Sequence, residues 1–257
     1  MRGAARALWR LSVIVLLAAC ASSASQSAAR APDVDPRDPL AGTRLMQLGQ
    51  ALVSEGKTAE GLERYRAALA LQPKNPTIHN LIGVALLQDG NPAKAIESFN
   101  RSLALAPQYS DARNNRGAAY VQLGQFAMAE ADFLAVLSDS THANRASVYC
   151  NLGALYLSRG NLSAAEENLH RAAVPSGPIE AFFMLGQVEE KLGKRELAEA
   201  AFRKAMEKAP ERPEIALALG MLLESEGRKD EARDAFHRVV ALGPDSAEAK
   251  QARAHLE

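Results

Sequence analysis

The chain alternates apolar and polar positions in a pattern that recurs from residue 42 to the C-terminal region. Its clearest marker is a glycine that usually follows an aliphatic residue. The six copies are Gly49, Gly83, Gly117, Gly153, Gly186 and Gly220. Successive copies are separated by 34, 34, 36, 33 and 34 residues. Recurrence at a period of this size is typical of repeat architectures.

Three further positions recur with the same period. Seven residues after the marker comes a second glycine: Gly56, Gly90, Gly124, Gly160, Gly193 and Gly227. Twelve residues after the marker comes a small residue: Gly61, Ala95, Ala129, Ala165, Ala198 and Ala232. Four residues later comes a large one: Tyr65, Phe99, Phe133, Leu169, Phe202 and Phe236. Proline closes four of the repeats, at Pro73, Pro107, Pro210 and Pro244.

Helix packing explains this spacing. A glycine inside a helix costs about 1 kcal/mol relative to alanine, so a recurring one indicates a close approach between backbones. We expect each marker glycine to face the small residue of the following helix, and the large residue to fill the space between repeats. The second glycine suits the left-handed position that ends the first helix. The closing proline ends the second helix.

The pattern resembles the tetratricopeptide repeat, a helix–turn–helix unit of about 34 residues. It predicts an all-α fold, a right-handed superhelical solenoid of six such repeats with a C-terminal capping helix. The predicted repeats are 42–75, 76–109, 110–143, 146–178, 179–212 and 213–245. Residues 246–257 are predicted to cap the last repeat. The capping residues would be Ala247, Ala249, Ala252 and Leu256.

The N-terminus carries a different signal. A short apolar run begins at Leu11 and ends at Cys20, and three arginines lie before it, namely Arg2, Arg6 and Arg10. The run is too short to cross a membrane, which takes about 20 residues. A positive head, a short apolar centre and small residues at the end predict a secretory signal over residues 1–19.

The end of that signal, "LAAC", resembles the bacterial lipobox. The resemblance implies that Cys20 becomes the first mature residue and carries covalent diacylglycerol and N-acyl lipid. The alternative is an ordinary signal peptide with an incidental cysteine. In bacterial lipoproteins, the best-known signal for retention in the inner membrane is an aspartate directly after the lipidated cysteine. Ala21 follows Cys20 here, so the resemblance favours the periplasmic face of the outer membrane. Residues 20–41, rich in Ala, Ser and Pro, are predicted to form a disordered tether.

Charge and chemistry exclude several classes of function. The chain has 30 basic and 30 acidic residues, and loss of residues 1–19 leaves 27 basic against 30 acidic, so no basic face for nucleic acid is expected. The five histidines form no metal-binding motif, and no phosphate-binding loop is present. We therefore expect no catalytic residue, metal, cofactor or small-molecule substrate. If Cys20 is lipidated, Cys150 has no disulfide partner, and we interpret it as a small packed residue.

The predicted binding surface is a groove lined by the first helix of each repeat. In repeats 1–3 it is apolar with amides and nearly uncharged. Its candidate residues are Met46, Gln50, Val53, Asn80, Val84, Leu87, Asn114, Ala118, Val121 and Gln122. Such a surface suits an amphipathic helix of a protein partner. The alternative for Val84, Leu87 and Val121 is that they pack against neighbouring helices.

In repeats 5 and 6 the same positions are acidic. They are Glu180, Phe183, Gln187, Glu190, Lys191, Glu214, Leu217, Met221 and Glu224. The groove lacks the ring of lysines and arginines that grips C-terminal carboxylates in some tetratricopeptide domains.

Residues 112–157 add a more specific resemblance. They contain "NN" before the third marker glycine and a long connection, Ser138 to Arg145, without a closing proline. With the lipobox and the six repeats, they resemble the type IV pilus secretin pilotins of PilF, PilW and Tgl type. The resemblance implies a lipoprotein that binds secretin subunits, promotes their assembly in the outer membrane, and supports pilus formation and motility. The alternatives are an adaptor for peptidoglycan enzymes and a Flp-type pilus assembly lipoprotein.

Overall fold

The computed structural model describes residues 34–35, 37–139 and 143–257. These residues form thirteen α-helices and no β-strand, which confirms the all-α prediction. The helices of the first three repeats are α1 (Ala41–Ser54), α2 (Thr58–Leu71), α3 (Pro76–Gln88), α4 (Pro92–Leu105), α5 (Ser110–Gln122) and α6 (Phe126–Ser138). Those that follow are α7 (Arg145–Ser158), α8 (Leu162–Ala172), α9 (Ile179–Lys191), α10 (Arg195–Lys208), α11 (Pro213–Ser225), α12 (Lys229–Leu242) and α13 (Ala247–Ala254).

Each predicted repeat contains a hairpin of two helices, and the odd-numbered helix is the first of its pair. The helices divide between two compact units, of which one ends at Ala143 and the other begins at Asn144. The N-terminal unit holds α1–α6, and the C-terminal unit holds α7–α13. In both units the second helix of a repeat also packs against the first helix of the next.

The second glycine of each repeat lies in the turn of its hairpin, as predicted. Gly90 has a φ of +75°, in the left-handed region that L side chains rarely adopt. Its N–H donates to the Leu87 carbonyl, and the following Asn91 N–H donates to the Leu86 carbonyl. These bonds satisfy carbonyls that the end of α3 leaves without helical partners.

The marker glycines make a contact that the spacing did not predict, with the large residue of their own repeat. A Cβ at Gly83 would lie 2.5 Å from Cε1 of Phe99, and one at Gly117 would lie 2.6 Å from the same atom of Phe133. The large residue of the same repeat therefore packs over the glycine.

In the first repeat the small residue is close as well, since a Cβ at Gly49 would lie 3.1 Å from the carbonyl oxygen of Gly61. Phe99 also shares a core cluster with Ala118 and Ala119 of the next repeat, in agreement with its expected place between repeats. The small residue of the second helix, such as Ala95, is itself fully buried.

The last helix, α13, covers the end of the C-terminal unit. Ala249 and Ala252 are buried, and Leu256 packs against the cluster that contains Phe236. The His255 ring stacks on the Phe236 ring, with 4.9 Å between centroids. Ala247 is exposed, contrary to its expected role as a capping residue, because it begins the helix on the outward side.

The segment before α1 is partly ordered. Val34 packs against the cluster around Leu45 and Tyr65, and the Asp38 carboxylate pairs with Arg44 at 2.8 Å. These contacts place the end of the predicted tether, residues 20–41, against the first repeat. The predicted signal, residues 1–19, and Cys20 lie outside the described residues. No helix in the described part of the chain is long and apolar enough to cross a membrane.

Candidate functional site

The first helices of the N-terminal unit form the candidate binding surface. Helix α3 contacts both α1 and α5, so their side chains lie next to one another. Of the predicted groove residues, Gln50 is exposed and five others are half-buried: Met46, Val53, Val84, Asn114 and Gln122. We call these six residues the N-terminal first-helix surface. They carry no charge, and they combine amide donors and acceptors with aliphatic groups.

Four predicted groove residues are buried instead, namely Asn80, Leu87, Ala118 and Val121. Leu87 is only 1% exposed and belongs to the core cluster that contains Phe99. For Leu87 and Val121 the alternative of packing against neighbouring helices therefore holds. The expected apolar patch is reduced to Val84, because Leu87 packs into the cluster that holds Ala118 of α5, and Val121 is buried as well.

Asn80 has a structural partner on the next first helix. The Asn115 side-chain amide donates to Oδ1 of Asn80 at 3.1 Å, and both residues are buried. A buried amide is tolerated when it is hydrogen-bonded. This buried bond joins α3 to α5 and so helps to fix the spacing of the two helices that carry part of the N-terminal first-helix surface.

A charged pair supports the same region. Arg116 donates through Nε and Nη2 to the two carboxylate oxygens of Asp132, at 2.8 and 2.7 Å, and through Nη1 to Asn100. Asp132 is buried, and its hydrogen bond raises the pKa of the Arg116 guanidinium. Sequence reasoning missed this pair. Its signal was an arginine before the third marker glycine, where the other five repeats have Leu or Ile.

The C-terminal unit has a less acidic first-helix surface than predicted. Arg212, in the turn before α11, donates to Glu180 at 2.7 Å and to Glu214 at 2.8 Å. One guanidinium thus balances two carboxylates, and Glu180 is buried beneath it. Arg212 does not occupy a first-helix position, so the charge of those positions alone overstates the acidity of this surface.

The remaining C-terminal positions are mixed. Phe183 and Leu217 are buried, whereas Glu190, Lys191 and Met221 are exposed. Glu224 pairs with Nδ1 of His255 at 2.7 Å. This part of the surface therefore has fewer free carboxylates than its sequence suggests.

Cys150 lies on α7 and is completely buried. Burial, together with the nearby Glu180 charge, raises the pKa of its thiol well above the ordinary value. A reactive cysteine needs an exposed thiolate. Cys150 is therefore a packing residue in this structure.

Comparison with protein families decides the class of protein. One tetratricopeptide repeat model matches residues 46–110 and 183–247, and two others match residues 110–138 and 145–174. The chain belongs to the tetratricopeptide repeat family. Proteins of this fold are protein-interaction scaffolds, in agreement with a surface of amides and aliphatic groups. No curated protein sequence matches the chain significantly.

Solved tetratricopeptide structures share the fold at low identity. PilW, described as a widely conserved type IV pilus biogenesis factor, aligns with a TM-score of 0.71 and 21% identity, over 82% of this chain and 97% of its own. PilF of Pseudomonas aeruginosa aligns with a TM-score of 0.69 and 19% identity, over 83% and 96%. Cut9, in its complex with Hcn1, gives a TM-score of 0.74 at 15% identity. This chain spans 44% of that longer protein.

Proposed function

We propose that this tetratricopeptide protein is an outer-membrane lipoprotein that binds subunits of a type IV pilus secretin and promotes their assembly there. The observation that carries the proposal is the combination of the lipobox at Cys20 with a repeat array that matches two type IV pilus proteins over nearly their whole lengths. Identity near 20% supports the shared fold, and the resemblance to a lipobox supports the proposed membrane location.

The proposed mechanism is capture close to a membrane. Each buried CH2 group of a lipid chain contributes about 0.8 kcal/mol, so two or three chains on Cys20 anchor the protein stably. The part of the proposed tether that precedes Val34, residues 21–33, would reach roughly 20 Å as a coil, since Val34 packs against the first repeat. Subunits held within this distance have a high effective concentration at one bilayer, which favours assembly of the ring there.

The N-terminal first-helix surface is the proposed contact with the secretin. It is long enough to hold a helix, since it crosses α1, α3 and α5, and its lack of charge suits the apolar face of an amphipathic segment. Leu87 and Asn80 contribute by holding these helices in place, since both are buried.

Replacement of Cys20 by alanine tests the proposal. We expect Cys20→Ala protein to leave the outer-membrane fraction, and the heat- and detergent-resistant secretin multimer to fall with it. Cys150→Ala is the matched control, because it removes a buried thiol without touching the anchor. Normal multimer and normal motility with an unanchored protein would contradict the proposal.

Pull-down of the anchored protein separates the alternatives. Recovery of peptidoglycan hydrolases without secretin would favour an adaptor role, and recovery of Flp pilus components would favour the Flp-type assembly lipoprotein. Recovery of the secretin supports the proposal.

A further inference from the structure

A cluster of potential metal ligands lies where the fourth repeat meets the fifth. Glu166 and His170 stand one turn apart on α8, and Glu189 faces them from α9. Nε2 of His170 is 3.4 Å from Oε1 of Glu189 and 3.8 Å from Oε1 of Glu166. One ligand atom from each residue lies within 4.8 Å of the other two.

Glu189 occupies a position that the repeat otherwise fills with large, mostly apolar side chains. Three residues after the marker glycine, the other repeats have Leu52, Leu86, Tyr120, Tyr156 and Leu223. Glu189 is nevertheless 1% exposed. A buried carboxylate is costly unless it is paired or coordinates a metal. The burial of Glu189 at this position therefore favours a role in binding a positively charged ligand over a role in packing.

One oxygen of this carboxylate is without a partner. Oε2 of Glu189 is fully buried and accepts no hydrogen bond. Burial, with a further contribution from the Glu166 charge, raises the pKa of Glu189 to about 7. Lys194 lies nearby, but its ammonium hydrogen-bonds Glu166 and leaves Oε2 of Glu189 without a partner.

Lys194 already contacts the cluster from one side. Its Nζ donates to both oxygens of Glu166, at 2.6 and 2.8 Å. The Lys194 and His170 side chains are both about half-exposed. Solvent therefore reaches the cluster past His170, which provides a route for an ion.

We propose that Glu166, His170 and Glu189 bind a divalent transition-metal ion of the zinc class. Bonds of about 2.0–2.2 Å in a tetrahedral site place ligand atoms roughly 3.4 Å apart, so the distances from His170 require only small adjustments. Two carboxylates and one imidazole leave the fourth position to water, and the set of nitrogen and oxygen ligands suits Zn²⁺.

Such an ion would join the second helix of one repeat to the first helix of the next. It would replace the Lys194 ammonium as the positive charge beside Glu166, and it would coordinate the buried Glu189 carboxylate. The expected consequence is added stability of the α8–α9 contact within the C-terminal unit.

Zn²⁺ binding to the purified, untagged full-length protein tests the proposal. Cys20→Ser is present in every sample, so that no thiol at residue 20 competes for the ion. We expect one Zn²⁺ per chain by calorimetry, and a melting temperature that rises with Zn²⁺ and falls again with EDTA. His170→Ala and Glu189→Gln are each expected to weaken binding at least tenfold and to abolish the melting shift.

His237→Ala is the matched control. His237 occupies in the sixth repeat the position that His170 occupies in the fourth, and it is likewise exposed on a second helix, but among the described residues it belongs to no cluster of potential metal ligands. Binding by the His237→Ala protein should equal that of the parent. The proposal is wrong if the parent protein binds no Zn²⁺, or if His170→Ala and Glu189→Gln, shown to be folded by circular dichroism, bind within threefold of the parent.

Discussion

At the scale of single residues, buried charge distinguishes the third and fifth repeats from the others. Arg116 and Asp132 balance each other through two parallel hydrogen bonds, whereas Glu189 has one oxygen without a partner. Breaking a buried pair by removing one member is costly, because the other charge remains buried. Removing both members often costs little.

This asymmetry predicts the behaviour of Arg116 variants. Arg116→Leu is expected to lower the free energy of unfolding by about 1–3 kcal/mol, because Asp132 then loses the partner of its carboxylate, although Arg116 itself is only partly buried. The double variant Arg116→Leu/Asp132→Ala should recover most of that loss, since Leu is the residue found before most marker glycines. Chemical denaturation of the two proteins measures the difference. Equal destabilisation of the single and double variants would contradict the interpretation of a buried pair.

Such exceptions are visible in the sequence only after the repeats are aligned. Arg116 and Glu189 each stand where other repeats mostly have an aliphatic residue, so their unusual character could be predicted. Their partners could not. Asp132 and His170 lie on neighbouring helices, and only the packing of those helices decides that the side chains meet.

At the scale of helices, each hairpin is defined by two glycines with different roles. The marker glycine leaves room for the large residue of its own repeat, as at Gly83 beneath Phe99. The turn glycine has open space around it and is required for its backbone conformation, as at Gly90. The marker glycine is needed because it has no side chain to occupy the space of the large residue, and the turn glycine is needed because its φ is positive.

The two roles predict different tolerances. Gly83→Ala is expected to lower the free energy of unfolding by about 1–3 kcal/mol through overpacking against Phe99, although alanine usually stabilises a helix relative to glycine. Gly90→Asn should cost much less, because asparagine tolerates the left-handed region and meets no neighbour there. Thermal or chemical denaturation compares them. A Gly83→Ala protein as stable as the parent would mean that Phe99 moves aside without cost.

The elements themselves follow closely from the sequence, because a fixed period with turn glycines specifies where a helix ends. The contact of the marker glycines with the large residue did not follow, since spacing alone does not show that a residue four positions after the small one reaches the same glycine. The burial of Leu87 could not be predicted from the sequence either, because it depends on how closely α5 approaches α3.

At the scale of the whole molecule, the proposed function requires a surface that binds the partner protein and a lipid anchor that holds the protein at the membrane. The N-terminal first-helix surface supplies the first, with six residues that lack charge in a chain of which 23% is charged. The acidic character expected of repeats 5 and 6 is reduced by Arg212. This favours the N-terminal unit as the contact with a partner.

A pair of lysines placed on that surface tests the choice of site. Gln50→Lys/Gln122→Lys is expected to weaken secretin binding about tenfold, because charge would face the apolar side of the bound helix; a tenfold loss corresponds to about 1.4 kcal/mol. Neither residue is buried, so the fold should be unaffected. Binding is measured with purified proteins.

Gln108→Lys is the matched control, since Gln108 is an exposed glutamine in the turn between α4 and α5. It should bind as the parent does. Full binding by the double lysine variant would place the contact elsewhere on the repeats.

The short sequence separation between bonded partners has a consequence for biosynthesis. Asn80 and Asn115 are 35 residues apart, and Arg212 and Glu180 are 32 apart, so these contacts stay within one repeat or reach only the next. Chains rich in such local contacts fold rapidly. A nascent polypeptide whose contacts are this local can fold α1–α4 while the ribosome is still translating α13. The export proposed for this protein would then require that the chain be kept unfolded from its first repeat onward.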